Sequence, residues 1–506
     1  MKKLLSLALA VLMVCALFAG CAKTPASSAA PTPSQTDSKP ETSSEAVKKL
    51  DPYEVKWILR ITPQDETATA HVMKNINENV LPKLIDNTTL NVEWIQASEY
   101  LEKMKLKFSG QEAFDNCLSM VSFGFSDFVQ QKAYLDLNNY WDYLPETRKV
   151  IPESWWDATS VDGGCYGIPN YQITARNYSV AILNEAIDAM KLDLTKIKTL
   201  DDLEPILEYM SKNEKWEKAT IGSSNLFYTE GYIFCGIEQV TDMIGVPLND
   251  PTKVMNIWEF DGYVDQMKRL RKWNQKGYIK PDVYTMGDDI SLAKSGLITM
   301  RFECWQPGYE VTLKDKYGLD GTYVTLGEPT VTTNTVRSTM TSVSFTSKNP
   351  ERACMMIDLM NSKPELFNAL AYGIEGANYT LDNGQAVPVN DSGYAVCSWA
   401  YQMGNTLIGY QLKGKSADFA EQVDKMNRES KASPILGFSF NAESVQTELS
   451  ACKAIYKNYD SGFQSGEYAD VDATIKQMND ELYAAGLQKI IDECQKQLDA
   501  WYAAKK

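Results

Sequence analysis

The chain has 506 residues, with 50 basic and 66 acidic side chains and a formal net charge of −16. That balance argues against nucleic acid and anionic lipid headgroups as partners, since both carry the same sign. A single histidine, His71, is too few for a His-based metal site, and its place inside a helical stripe reads as helix surface rather than as part of a Ser-His-Asp triad.

The N-terminal end reads as an export signal. Lys2 and Lys3 precede an apolar run, Leu4 to Phe18, which is too short to span a bilayer and runs into Ala19-Gly20-Cys21. Small residues directly before a cysteine predict that Cys21 is lipidated and becomes the first mature residue, although Phe18 stands where a lipoprotein signal usually has Leu. Residues 22 to about 49 are rich in Ser, Thr, Pro and Ala without apolar periodicity, the composition of a flexible tether. No later run reaches transmembrane length, so the folded part is expected outside the cytoplasm, held at the membrane by lipid. Eight of the ten cysteines lie beyond Cys21, none in a C-x-x-C pair, and they read as buried free thiols.

From residue 51 the chain is long enough for at least two cores. Val55–Arg60 predicts a first strand, followed by a turn-rich loop at 62–65. Val72, Ile76, Val80 and Leu84 form a helical stripe, Leu90–Ile95 a second strand, and Tyr100, Met104 and Phe108 a second helix. Cys117–Phe123 predicts a third strand. This alternation implies a parallel sheet with a ligand crevice at the carboxyl ends of its strands, which places Gln64, Asp65, Ser122, Phe123 and Phe125 along one edge.

Tyr166-Gly-Ile-Pro-Asn-Tyr-Gln172 reads as an extended run that Pro169 keeps out of a sheet centre, and so as a crossing between lobes with Tyr171 and Gln172 at the cleft. The alternation then restarts. Strands are predicted at Tyr178–Leu183, Ala219–Ser223, Leu297–Phe302 and Ser338–Phe345. Tyr263, Met267, Leu270 and Trp273 predict a helix that stops at Gly277, and Asn349-Pro350 opens another as cap and first position. Asn184 and Thr199 are further expected caps. Tyr372-Gly-Ile-Glu-Gly376 is expected to be a second crossing, and the last 90 or so residues read as helices. No phosphate-binding loop follows a strand, no carboxylate pair is selected by spacing, and no cofactor is expected.

Several segments in this order resemble extracellular solute-binding lipoproteins of bacterial ABC importers. They are the lipid signal, Pro63-Gln-Asp65, Glu99-Tyr100-Leu-Glu-Lys103, Tyr134-Leu-Asp-Leu-Asn138, Tyr166–Gln172, Thr346-Ser-Lys-Asn-Pro350, Tyr372–Gly376, Ser433-Pro-Ile-Leu-Gly-Phe438 and Gln497-Leu-Asp-Ala-Trp501. The group they look like is the carbohydrate-type family 1, in the subgroup with an extra helical C-terminal domain of unknown function. The resemblance runs along nearly the whole chain after the tether.

It implies an α/β, two-lobed fold of the periplasmic-binding-protein type II kind, with lobes joined by hinge segments and a helical C-terminal region. The expected division is a signal peptide at 1–20 and the lipidated cysteine with its tether at 21–50. The first lobe would span 51–171 plus about 343–372, and the second about 172–342 plus 374–506. The implied function is capture of a small polar solute, above all an oligosaccharide, and delivery to ABC permease subunits, without catalysis. A sensory lipoprotein serving a membrane kinase and a polysaccharide-acting enzyme are the alternatives.

By the same resemblance Gln64 and Asp65 are expected polar contacts and Phe123 or Phe125 an aromatic platform. Trp305 is the foremost stacking residue, although the Gly-Pro pair that precedes this Trp in the maltodextrin-binding branch is absent here. Phe438 and, more loosely, Trp399 are further ring contacts. Arg337 is a donor to the hydroxyl rim, the chemistry that complements a sugar's apolar face and polar edge. Core packing is the alternative for each ring, helix capping for Gln64 and Asp65, and a surface charge or ion pair for Arg337.

Overall fold

A computed structural model describes residues 50–62, 64–213, 220–222, 229–279 and 289–505. Leu50–Lys506 forms one compact unit. The expected signal peptide, Cys21 and tether lie outside the described residues.

Strand β1 (Tyr53–Ile61) buries Trp57, Ile58 and Leu59 in succession, as a central strand covered on both faces must. Helix α1 (Glu66–Asn75) is capped by Asp65 and continues through a wider turn to Val80, which lets Val72 and Ile76 share one buried stripe. His71 is on the exposed side of α1. Strand β2 (Thr88–Gln96), helix α2 (Tyr100–Ser109) and strand β3 (Asn116–Ser119) complete the first unit. Strand β3 is shorter than expected, because the chain turns at Val121–Phe123 and Gly124, at φ +72°, starts helix α3 (Phe125–Gln130).

The sheet order is β2, β1, β3, Met340–Val343, Ile168–Pro169. The first three strands are parallel and Met340–Val343 runs against β3. Pro169 is at the sheet edge, where its missing donor costs no ladder bond.

A second sheet has the order Gly321–Thr325, Tyr178–Leu183, Ile298–Cys304, Thr220–Gly222. Tyr263, Met267, Leu270 and Trp273 line the buried face of helix Asp261–Gln275, which ends beside Gly277 at φ +76°. The C-terminal helices Gln446–Gln464, Val471–Ala484 and Leu487–Ala504 close over this second core through Cys452, Leu482, Cys494 and Leu498. Asn349 caps helix Pro350–Ser362 by accepting from the Arg352 amide at 3.0 Å. Asn184 does not cap its helix, its side chain being engaged by Asp320 and Thr322. The Thr199 corner is instead tied by Asp202, whose carboxylate accepts from the Thr199 amide at 2.8 Å.

Three segments run between the two sheets and pair with one another. Arg176 and Thr330 exchange backbone hydrogen bonds of 2.9 and 2.8 Å, and Thr330–Val331 runs parallel to Lys431–Ala432. The segment after Tyr171 is thus a crossing. Tyr372–Gly376 is not: Gly373, at φ +87°, stops the helix Pro364–Tyr372, and Asn378 ties the turn by accepting from the Ile374 amide at 2.9 Å. The chain stays with the first core, where Tyr379, Ala386, Tyr394 and Met403 are buried. The third crossing is Lys431–Ala432, nearly sixty residues beyond the expected place.

None of the eight described cysteines is in a disulfide, and five of them are buried. Burial pushes the Cys165 thiol up to about 11 and the Cys354 and Cys494 thiols to about 12, so all three stay protonated and unreactive at neutral pH.

Candidate functional site

The carboxyl ends of β1 and β3 form one wall. At the end of β1 the Gln402 side chain, itself fully buried, brackets the Arg60 backbone, accepting from its amide at 3.0 Å and donating to its carbonyl at 2.6 Å. This pins the 396–402 segment against the strand end. Gln64 accepts from the Ala395 amide at 2.6 Å, and Asp65 accepts from the Ala68 amide at 2.8 Å as the N-cap of α1. Both residues order the loop, and Asp65 remains exposed. Beyond β3, Ser122 is exposed and Phe123 half-buried, its ring 5.4 Å from Tyr100. Trp399 is half-buried beside Tyr401, at 6.2 Å. The Arg60 guanidinium joins the two half-buried rings, 5.2 Å from the centroid of each.

A second group gathers where the first lobe meets the C-terminal region. Arg337 is 2% exposed and donates to the carbonyls of Ala158 and Ser160 and to the hydroxyls of Ser439 and Ser126, the last two at 3.0 and 3.5 Å. It is neither a surface charge nor an ion pair. Desolvation without a carboxylate lowers its guanidinium to about 10, which still leaves it charged at neutral pH. Phe125 packs in the core, stacked on Tyr134 at 5.9 Å with the Arg337 guanidinium 5.1 Å from its ring. Phe438 is buried edge-on against Trp501 at 5.9 Å. A cavity of about 680 Å³ opens here, bounded by Ser126, Gln130 and Ser160 on one side and Phe438, Trp501 and Lys505 on the other.

Along the crossings, Tyr171 is 1% exposed and donates to Asp424 at 2.7 Å, so its ring belongs to the core. Burial and the Asp424 charge hold its hydroxyl well above the usual range. Gln172 is half-buried, and its carbonyl accepts from Asn427. Trp305 follows the strand Ile298–Cys304 on the second lobe. It is half-buried, with its amide on the Asn177 carbonyl at 2.8 Å and its indole N–H on Glu310 at 3.0 Å.

The structure therefore joins Phe123 with Trp399, and Arg337 with Phe125 and the Phe438 loop. It places Trp305 on the other lobe and sends Tyr171 and Phe125 inward. Arg60, Gln402 and Trp501 were not anticipated. The signal for Arg60 was a charge that directly follows the buried run Trp57-Ile-Leu59, one place before the strand's end.

Behind the crossings lies a smaller pocket of about 320 Å³, lined by Arg176, Tyr178, Glu238, Thr330, Lys431 and Ser433. The Glu238 carboxyl is 6% exposed and accepts from the Ser433 hydroxyl; burial pushes it up to about 7, the hydroxyl opposing.

The chain is similar to several known proteins. Residues 434–503 match a family described as a domain of unknown function, DUF3502, which begins two residues after the third crossing. A carbohydrate ABC transporter substrate-binding protein of Streptococcus pneumoniae serotype 4 is 26% identical over 455 residues, covering 86% of this chain and 88% of the relative. The N-glycan transport solute binding protein NgtS of Streptococcus pneumoniae superimposes with a TM-score of 0.75 at 23% identity, over 90% of this chain and 100% of that one. In complex with Man5GlcNAc the same protein gives 0.62 over the same shares. The alginate-binding protein AlgQ2 gives 0.56 at 17% identity, over 89% and 98%. The fold is that of the two-lobed solute-binding proteins. The match to DUF3502 falls on the C-terminal helical region of that fold.

Proposed function

We propose that this protein captures an oligosaccharide between its lobes and delivers it to an ABC importer. The observation that carries the reading is the placement of half-buried rings at strand ends on both lobes, Phe123 and Trp399 on one and Trp305 on the other, across three paired crossing segments. A sugar ring offers an apolar face to such side chains and hydroxyls to the polar groups around them. The carbohydrate ABC transporter substrate-binding relative and the sugar-binding structural neighbours support the same class of ligand.

The cycle is an open–closed equilibrium in which ligand bridges the lobes and favours the closed form. Reversing a 1:99 population to 99:1 takes about 5.5 kcal/mol of preference for the closed state, within the roughly 8 kcal/mol of a micromolar complex. The closed form then docks on permease subunits, the ATPase being on another chain. Cys21, lipidated and left as the first mature residue, tethers the protein to the outer face of the cell membrane, and the acidic body keeps it off anionic headgroups. The protein binds and does not turn its ligand over.

A thermal-shift and calorimetric screen of the purified protein against oligosaccharides and peptides tests this. Saturable binding of an oligosaccharide without product release is expected. A shift with peptides alone, or release of shortened glycans, would refute it.

A further inference from the structure

Among the described residues, the guanidinium of Arg60 meets no acceptor. Its backbone groups are held by Gln402, but among the described residues no hydrogen bond leaves its side-chain nitrogens and no carboxylate lies within ion-pair distance. Its Nε is buried without a partner. Among the described residues, the rings of Phe123 and Trp399 flank the charge at 5.2 Å each, and the charge also acts on the Tyr401 and Tyr100 hydroxyls without a hydrogen bond to either. In a chain with 66 acidic side chains, a half-buried arginine that meets none of them is unusual. Arg337 shows the contrast: it too lacks a carboxylate, yet four protein oxygens take its N–H groups.

Cation–π contacts stabilise the charge but satisfy no N–H donor, and a buried donor left without an acceptor is costly. The rings also hold the planar fork in place, so little side-chain freedom remains to be lost on binding. What complements a fixed, unopposed fork is a group with two coplanar oxygens and a negative charge, that is, a carboxylate. The fork stands at the carboxyl end of β1, on the wall that carries two of the half-buried rings.

Resting on the oligosaccharide reading, we propose that Arg60, set between Phe123 and Trp399, is a ligand-binding residue that selects an acidic saccharide by taking its carboxylate. The net charge of −16 opposes an anion at long range, but that field is screened beyond a Debye length of about 8 Å at physiological salt, whereas the contact with Arg60 is direct. The acidic body therefore slows approach, and Arg60 decides what stays.

The test uses paired probes of the same shape: trigalacturonic acid against its methyl ester, and sialyllactose against its methyl ester, titrated calorimetrically into the purified protein. At least one acid is expected to bind ten-fold or more tightly than its ester. Arg60→Gln is expected to abolish that preference and Arg60→Lys to leave part of it, with melting temperatures close to wild type. Equal binding of acid and ester, or a preference that survives Arg60→Gln, overturns the proposal. The acid–ester comparison needs only the wild-type protein, so it decides even where a variant fails to fold. Binding of neutral oligosaccharides alone overturns the role of Arg60 and leaves oligosaccharide capture standing. Binding of no saccharide removes both.

Discussion

Glu238 makes stability depend on pH through one buried carboxyl behind the crossing segments. Its ordinary value is 4.5, and burial raises it to about 7. Between those values the folded protein holds a proton that the unfolded chain has released, so stability falls as pH rises through the window. Each pH unit of the gap is worth about 1.4 kcal/mol, which gives this group a contribution of about 2.5 kcal/mol at pH 5 and almost none at pH 8. Little solvent screening applies, since Glu238 is 6% exposed. Arg176, Glu328 and Lys431 line the same pocket, and the Ser433 hydroxyl is what opposes the effect of burial on this carboxyl.

Glu238→Gln keeps the shape and a partner for the Ser433 hydroxyl but cannot ionise. Urea unfolding of both proteins at pH 5 and pH 8 isolates the group, because every other titration is common to the two and cancels in the double difference. The wild type is expected to lose about 2.5 kcal/mol more than the variant between the two pH values. Equal losses would show that Glu238 is not titrating as a buried acid and would refute the reasoning.

Leu482, fully buried among Cys452, Met478 and Ile490 in the C-terminal helices, anchors the DUF3502 region to the second core. Leu482→Ala is expected to cost about 2–5 kcal/mol in chemical denaturation, with the spread set by how far the cavity collapses; a loss below 1 kcal/mol would mean these helices are not part of the cooperative core. Cys21→Ser is expected to move the protein from the membrane fraction to the medium and to remove label incorporated from a radioactive fatty acid. Retention at the membrane would show a different anchor.

Elements with a clear period were legible from residues alone. The strand Tyr178–Leu183 falls on its predicted bounds, and β1, β2 and the stripe of Asp261–Gln275 lie within a few residues of theirs. What was not legible depends on contacts distant in sequence. Phe123 and Phe125 look equivalent in Ser122-Phe-Gly-Phe-Ser126, and only the left-handed Gly124 between them decides which ring turns inward. A lone arginine before a strand reads as surface, but Arg337 is buried by oxygens from positions 126, 158, 160 and 439. The third crossing is a strand of two residues, too short to carry any period, whereas Tyr372–Gly376 had the turn chemistry of a crossing and serves as a helix stop.

Beside the buried Leu436, several polar bonds tie the first lobe to the C-terminal helical region near the cavity. The Ser126 and Ser439 hydroxyls are 3.3 Å apart, Arg337 reaches Ser439 at 3.0 Å, and Lys505 pairs with Asp157 at 3.0 Å. Both members of that ion pair are largely exposed, and such pairs contribute about 0–1 kcal/mol. A hydrogen bond from a charged donor contributes about 1.5–3 kcal/mol and one between hydroxyls about 1 kcal/mol. Together they amount to a few kcal/mol, comparable with the preference a ligand must supply to shift the population of lobe arrangements. A fully apolar interface at this position would hold one arrangement too firmly for a micromolar ligand to change. The hydroxyl and surface-charge chemistry of these contacts is therefore what a capture-and-release cycle requires, while the paired crossing segments keep the lobes in register.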